Sequence, residues 1–169
     1  MNKNKEEYLI QFNKKKSYFS SFFTNYTDDL EFFQSSPSQF RTRAEFGVVS
    51  MNSFDLTMVE NGDKIFIDQL DICNLSINQI IGYLKKQIIL SDTLKEQLFQ
   101  VEIQVSRKGD CFISLVYHKF LDSNWAEKAK ILSKEIQSSI IGRSKKQKLV
   151  IGKDYVIETY DVNGDKFQI

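Results

Sequence analysis

Arg41, Arg43 and Glu45 alternate along a stretch of β-forming sequence. Because side chains at every second position of a strand share one face, these three charges are expected to lie side by side. A guanidinium group suits a phosphate, and a carboxylate can hold the guanidinium in place or accept a hydrogen bond from a base edge. The pattern therefore indicates either a phosphate-binding strand face or an ordinary solvated one.

A second group of charges lies in the C-terminal half of the chain, where residues 141–148 form the densest basic stretch. The basic residues there are Arg143, Lys145, Lys146 and Lys148. Beside the arginine-bearing strand face they would make a phosphate track whose affinity depends strongly on salt. Without that neighbour, a solvated turn is the simpler interpretation.

His118 is the single histidine, and the two cysteines are Cys73 and Cys111. The histidine and Lys119 end an apolar run, and such a strand end can meet a phosphate, stack on a base or simply face solvent. No nucleophile motif supports a Ser-His-Asp triad around the histidine. The cysteines lack metal-ligand spacing and are too few for a disulfide scaffold, so we expect small buried thiols and no metal.

Composition limits the classes of function. The chain has 169 residues, 41% of them hydrophobic, with a single proline, which predicts a folded domain with a real core. The net charge of +1 does not suggest nucleic-acid binding, because the basic excess is only local. The N-terminus has no apolar signal segment and no run is long enough to span a membrane, so we expect an intracellular, cytoplasmic protein.

Alternating apolar residues predict several strands. They lie at 40–51, 54–60, 64–68, 97–105, 111–119, 155–162 and 166–169, with one or two more within 139–151. Asn61-Gly62 and Asn163-Gly164 each separate two such runs, and an Asn-Gly pair in that position is a strong hairpin signal because both residues need a positive φ.

Three amphipathic segments predict helices. The first is 5–23, which carries an aromatic stripe; the second is 76–90, with Ser76 as its cap; the third contains Trp125 and begins at Asp122 or Ser123. Hairpins without strict βαβ alternation predict an α+β fold, with a mostly antiparallel sheet and two or three packed amphipathic helices. We divide the chain into a helical arm, residues 1–30, and an α+β domain, residues 31–169.

Three short motifs carry a family resemblance. They are P-S-Q-F-R-T-R-A-E-F at 37–46, S-L-V-Y-H-K at 114–119 and I-G-R-S-K-K-Q-K at 141–148. In order and spacing they resemble the front half of the bacterial tRNA (uracil-5-)-methyltransferases, which make 5-methyluridine in the T-loop of tRNA with S-adenosylmethionine. The resemblance implies that residues 31–169 are a tRNA-binding domain that positions the T-arm for methylation of the loop uridine at C5.

The resemblance also implies what this chain lacks. In the family, a methyl-transfer domain holds S-adenosylmethionine with a Gly-rich loop and uses a cysteine that adds to uracil C6, and neither feature has a counterpart in this sequence. We therefore expect the chain alone to bind no S-adenosylmethionine and to methylate nothing. The sequence is then a truncated, split or excerpted chain, and the complete enzyme would need S-adenosylmethionine and a catalytic half, which a separate chain could supply.

The resemblance assigns RNA contacts to named residues. Leu98-Phe99-Gln100 matches a family segment whose aromatic side chain stacks in the T-loop when the target uridine is turned out. Strict alternation with Val101 instead predicts Phe99 in the core, and both interpretations stay open. Gly47 stands where the family usually has a further RNA-contacting arginine. The expected RNA-binding residues are Arg41, Arg43, Glu45, Phe99, Gln100, His118, Lys119, Arg143, Lys145 and Lys146.

Two other classes of function remain. One is a free-standing RNA-binding module without an enzymatic partner, and the other is a protein-interaction domain whose aromatic N-terminus docks on another subunit. In the family, the ribbon at 155–169 leads into the methyl-transfer domain. We therefore expect an exposed strand edge and partly exposed apolar side chains at Val156, Ile157, Phe167 and Ile169.

Overall fold

A seven-stranded sheet forms the centre of the protein, and the computed structural model describes residues 3–26, 29–50 and 53–169. The strands are β1 Arg43–Val49, β2 Asp55–Glu60, β3 Asp63–Ile67, β4 Leu98–Val105, β5 Cys111–Tyr117, β6 Ser139–Ser144 and β7 Gln147–Ile151. Their order is β3-β2-β1-β4-β5-β6-β7, and only β5 and β6 run parallel. The prediction of an α+β fold with a mostly antiparallel sheet is confirmed.

Four helices occur in the described residues: α1 Lys3–Ser21, α2 Leu75–Ile88, α3 Asp92–Lys95 and α4 Ser123–Ile136. Asn74 caps α2, because its side-chain oxygen accepts from the Ser76 N–H; the prediction that Ser76 is the cap was wrong. Asp122 caps α4 by accepting from the Trp125 N–H at 2.8 Å, which confirms one of the two predicted caps.

One hydrophobic core lies between the sheet and α2, α3 and α4. The helices contribute Ile77, Ile80, Ile81, Leu84, Ile88, Leu94, Trp125, Ala129 and Leu132. The α4 helix, which connects the two parallel strands, approaches the sheet closely at Gly142 of β6. A Cβ on this glycine would lie 2.3 Å from Cη2 of Trp125. A larger residue there would push the helix away from the sheet.

Both Asn-Gly hairpins are present. Asn61 has a φ of 52° and Gly62 a φ of 92°; the corresponding values at Asn163 and Gly164 are 56° and 93°. The second turn joins β8 Thr159–Val162 to β9 Asp165–Gln168, which form a separate two-stranded sheet. We call this the C-terminal hairpin.

The α1 helix lies outside the core, and none of its described side chains is buried. It contacts the segment that precedes β1. The Tyr8 hydroxyl donates to the Ser35 carbonyl at 2.8 Å, and the Phe19 ring meets the Phe32 ring edge-on at 6.0 Å. The helix predicted at 5–23 is confirmed with slightly different ends. Residues 1, 2, 27 and 28 of the proposed arm lie outside the described residues, as does Met51 of the first predicted strand.

One face of the sheet carries no helix, and we call it the open face. Its side chains on β1 and β4 are Arg43, Glu45, Gly47, Gln100, Glu102 and Gln104, which the strand register places opposite one another in pairs. Toward β5 and β6 the same face buries Phe112 and Ile141. The open face is therefore polar on β1 and β4, whereas on β5 and β6 it includes buried apolar side chains.

Among the residues that the structure describes, no helix combines the length and the apolar character that crossing a membrane requires.

Candidate nucleic-acid interface

Phe99 lies on a β-bulge at the beginning of β4. The register of β4 against β5 shifts between Leu98 and Gln100, which leaves Phe99 unpaired in the ladder. Leu98 and Val101 are both buried, so the two residues between them stay outside the core. The core position that strict alternation predicted for Phe99 is therefore wrong, because a bulge inserts one extra residue into the strand.

Phe99 instead stacks on His118. The ring centroids lie 3.9 Å apart and the ring planes differ by 11°. The backbone holds the histidine in place, since its N–H donates to the carbonyl of Gln97 at 3.0 Å. His118 is exposed and Phe99 is half-buried, so the pair is open to solvent at one end of the sheet. Parallel aromatic faces at such a place can stack on unpaired nucleobases.

Lys119 fixes the end of β5 to α3. Its ammonium group donates to the Thr93 carbonyl at 2.8 Å and to Glu96 at 2.9 Å, and its side chain is only 15% exposed. The buried Tyr117 hydroxyl donates to the Leu94 carbonyl at 2.9 Å, and burial raises the pKa of Tyr117, which keeps this donor protonated. A phosphate contact by Lys119 would have to compete with these bonds.

The parallel pairing of β5 with β6 brings the basic stretch to the same end of the sheet. Val116 pairs with Arg143, and Lys145 and Lys146 form the turn just beyond. Arg143 is exposed, with its Nε 3.4 Å from the hydroxyl of Ser114. Neither lysine has an ion-pair partner within the described ranges. Three basic side chains thus lie at the same end of the sheet as the aromatic pair, and the two lysines are available to meet phosphates.

Two residues that no sequence motif singled out, Ser144 and Gln147, connect these parts. The Ser144 hydroxyl donates to the Lys119 carbonyl, and the Gln147 side chain bonds both backbone groups of Leu121, at 2.9 and 3.2 Å. Phe120, which directly follows His118 and Lys119, was not predicted as a site residue either, and it is 75% exposed. An apolar residue directly after His-Lys at a strand end was the available signal.

Arg43 lies on the open face, but two carboxylates hold it: Glu45 at 2.7 Å and Glu102 at 2.8 Å. Arg41 precedes β1 and is exposed. From the spacing of strands and residues, Arg43 lies roughly 20 Å from Arg143 across the sheet. Because the two glutamates lie beside Arg43, the phosphate track expected from the two basic groups is not continuous.

Gln100 lies between the two groups on the open face. It pairs with Gly47 on one side and with Val116 on the other, and Val116 in turn pairs with Arg143. A Cβ on this glycine would lie 3.0 Å from Oγ1 of Thr57, so a side chain at position 47 would require the threonine to shift.

The two cysteines and the acidic side chains show no reactive or metal-binding arrangement among the described residues. Burial raises the pKa of Cys111 to about 11 and also raises that of Cys73, so neither thiol is a ready nucleophile. Cys73 is buried and Cys111 half-buried. Over the described ranges, no group of three or more His, Cys, Asp or Glu side chains has the geometry to hold a metal ion.

The two strand-to-helix connections among the described residues lack the glycine-rich turn that typically holds a nucleotide-like cofactor. A nucleotide-like cofactor is usually held where a Gly-rich turn leads from a strand into a helix. Two connections in the described chain lead from a strand directly into a helix, residues 68–74 and 118–122, and neither contains a glycine. No step of methyl transfer can be assigned to these residues.

Comparison with known proteins identifies relatives over nearly the whole chain. The family model described as tRNA (Uracil-5-)-methyltransferase matches residues 7–169. The tRNA/tmRNA (uracil-C(5))-methyltransferase of Chromohalobacter salexigens is 32% identical over 96% of this chain, and that of Aromatoleum aromaticum is 35% identical over 96%. The alignments cover 46% and 45% of those two proteins.

A solved structure has a similar fold. The tRNA (uracil-54, C5)-methyltransferase of Pyrococcus abyssi, in complex with S-adenosyl-L-homocysteine, matches 78% of this chain and 36% of its own with a TM-score of 0.52 and 13% identity. The chain spans about half the length of the curated relatives it matches. The sequence match and its extent together lead to one conclusion: the chain belongs to the tRNA (uracil-5-)-methyltransferase family, of which it represents the N-terminal part.

Proposed function

We propose that this chain is the tRNA-binding part of a tRNA (uracil-5-)-methyltransferase. It holds the T-arm so that a catalytic domain can methylate the T-loop uridine at C5 from S-adenosylmethionine, in the cytoplasm. The observation that carries the proposal is the stacked pair of Phe99 and His118, open to solvent beside Arg143, Lys145 and Lys146.

The arrangement suits a looped RNA. Turning a base out of a stacked loop leaves a gap, and an aromatic face can fill it for about 1–3 kcal/mol per base. Phe99 and His118 already stack on each other, so their faces are positioned before RNA arrives. The neighbouring basic side chains would hold the phosphates on either side of the loop, and Gln100 offers an amide to a base edge.

The proposal assigns separate roles to this chain and to the catalytic domain. S-adenosylmethionine supplies the methyl group in the complete enzyme, and a catalytic domain outside this chain binds it. The residues described here bind and orient RNA. The exposed C-terminal hairpin, with Phe167 52% and Ile169 83% exposed, is the surface that we assign to contact with that domain.

The proposal predicts different effects for the aromatic and the basic residues. Phe99→Ala should weaken binding of a T-arm stem-loop by about 1–3 kcal/mol and leave an unstructured RNA of equal length unaffected, because only the loop offers a gap to fill. The double substitution Lys145→Glu and Lys146→Glu should weaken the binding of both RNAs equally and reduce the salt dependence of that binding. Fluorescence anisotropy at several salt concentrations measures both effects.

Phe66→Ala is the control, because it removes a phenylalanine ring, 62% exposed, from the far edge of the open face, away from the Phe99–His118 pair. It should leave binding of both RNAs unchanged. Equal behaviour of the Phe99 and the double-lysine variants would reject the stacking role. Loss of the folded state in Phe99→Ala, measured by urea unfolding, would show that the ring supports the fold instead.

A further inference from the structure

A cleft of about 1060 Å³ lies between α1 and the segment that leads into β1. One wall is the face of α1, and the other is formed by residues 33–40 together with residues that precede or begin α2. The hydrogen bonds from the Tyr8 hydroxyl to Ser35 tie the two walls together. The cleft lies beyond the start of β1, roughly 20 Å along the strand from Gly47 and the bulge, so it is separate from the Phe99–His118 pair.

The α1 wall has a regular pattern. Lys5, Tyr8, Phe12 and Lys15 all line the cleft, and their spacing of three or four residues places them on one side of the helix. The Tyr8 and Phe12 rings are stacked, with centroids 6.5 Å apart and planes within 22°. The two lysines are about 15 Å apart along the helix axis. Two aromatic faces thus lie between two positive charges.

The opposite wall also carries exposed rings. Phe33 is 84% exposed and Phe40 is 50% exposed, and both line the cleft. Amide side chains that can bond base edges line it as well, those of Gln11, Gln39 and Gln69. A core or a purely apolar docking groove would not place charges and amides among its rings in this way.

The charge of α1 favours an anionic occupant. The helix contains Lys3, Lys5, Lys14, Lys15 and Lys16 but only two acidic residues, Glu6 and Glu7, while the whole chain has a net charge of +1. Aromatic faces interleaved with basic side chains are the usual means of binding single-stranded nucleic acid. Glu7 and Asp71 at the cleft moderate its charge, so stacking should contribute more than phosphate contacts.

We infer that this cleft binds two or three unpaired nucleotides of RNA, with bases stacked against Phe12 and the rings of the opposite wall and phosphates near Lys5 and Lys15. The inference goes beyond the T-arm proposal, because neither the cleft nor its ligand involves the residues that would meet the T-loop. It gives the chain a second contact with RNA, directed at a single strand.

A short labelled oligonucleotide, hexauridylate, tests the stacking. Phe12→Leu keeps an apolar side chain but removes the aromatic face, and it should weaken binding about fivefold or more. Tyr18→Leu is the matched control, since Tyr18 is an exposed ring of the same helix that does not line the cleft. The Tyr18→Leu variant should bind hexauridylate with the same affinity as the unchanged protein. Equal affinity of the two variants would overturn the inference.

A pair of adjacent lysines tests the phosphate contact. Lys15→Gln should lower the salt dependence of hexauridylate binding by about one phosphate contact, whereas Lys14→Gln, which removes the same charge outside the cleft, should not. Equal salt dependence in the Lys15 and Lys14 variants would show that the charge acts without a specific contact, and it would overturn the assigned geometry.

Phe99→Ala should leave hexauridylate binding intact, so failure of the T-arm proposal and failure of this one are distinguishable. Absence of hexauridylate binding to the unchanged protein would overturn the inference.

Discussion

Gly142 on β6 has no side-chain carbon, and this allows α4 to pack closely against the sheet. Its missing Cβ would collide with Trp125 at 2.3 Å and with Leu121 at 2.7 Å, and both of those side chains are buried. We expect Gly142→Ala to lower the free energy of unfolding by about 1–3 kcal/mol, as overpacking of a close-packed core does. Urea unfolding followed by far-UV circular dichroism measures the change.

Gly82→Ala is the matched control for that substitution. Gly82 lies in the middle of α2, and a Cβ there would have no atom within 4 Å. Because alanine favours the helix, this change should stabilise the protein by about 0.5–1 kcal/mol. If both alanine variants shifted stability in the same direction, close packing of Trp125 would not be the cause.

Single residues also mark the limit of prediction from sequence. Alternation placed Phe99 with the apolar residues of β4, and nothing in the local sequence indicates the bulge that moves it out of the core. The bulge depends on how β5 and the preceding loop pair with β4, which are tertiary contacts. The family motif pointed to Phe99 and His118 separately, but only the fold brings the two rings together at 3.9 Å.

At the scale of elements, one lysine joins α2 to the edge of the sheet. Lys85 reaches Asp55 at 2.9 Å and Asp68 at 2.5 Å. Hydrogen bonds from the Ser53 hydroxyl and from Lys85 lower the pKa of the Asp55 carboxyl. A carboxyl whose pKa is lower in the folded chain stabilises the fold above its unfolded-state pKa of about 4, and the contribution disappears as the pH falls through the folded-state pKa.

Asp55→Asn should therefore destabilise the protein at pH 7, and the difference from the unchanged protein should narrow below about pH 4. Urea unfolding at both pH values measures it. Glu127→Gln serves as the control, since Glu127 belongs to an exposed pair with Lys130 on α4 and should have little effect at either pH. A difference that persisted unchanged at low pH would show that Asp55 acts through shape rather than charge.

Helices and hairpins could be predicted where a short stretch of sequence carries the pattern that specifies them. The two Asn-Gly hairpins and the stripes of α2 and α4 follow from spacing alone, and the structure confirms them. The α3 helix was missed because a single turn, Asp92–Lys95, is too short to show a periodic pattern. Its stability comes from Leu94 in the core and from Lys119, both of which are contacts distant in sequence.

At the scale of the whole molecule, the C-terminal hairpin presents apolar side chains to solvent. Val162, Phe167 and Ile169 are all more than half exposed, while Val156 and Ile157 are half-buried, which agrees with the exposure expected from the sequence. We expect the isolated chain to self-associate through this surface. Phe167→Ser combined with Ile169→Ser should shift it toward a monomer in size-exclusion chromatography with light scattering.

Phe120→Ser provides the control, because it removes a ring that is 75% exposed elsewhere on the surface and should leave the association unchanged. Adding the catalytic half of a related enzyme should suppress self-association and restore T-loop methylation, if that half covers the hairpin. A chain that remains monomeric and ignores the added half would favour the free-standing RNA-binding module over the proposed function.

The position of β1 in the middle of the sheet has a consequence for synthesis. β1 pairs with β2, its neighbour in sequence, and with β4, whose residues leave the ribosome much later. Until then one edge of β1 is unpaired, and an open edge invites pairing with other chains. Charged side chains blunt such an edge, and Arg43 and Glu45 lie on this strand. We therefore expect the two residues that were predicted to meet RNA, Arg43 and Glu45, to limit aggregation of the nascent chain until β4 pairs with β1.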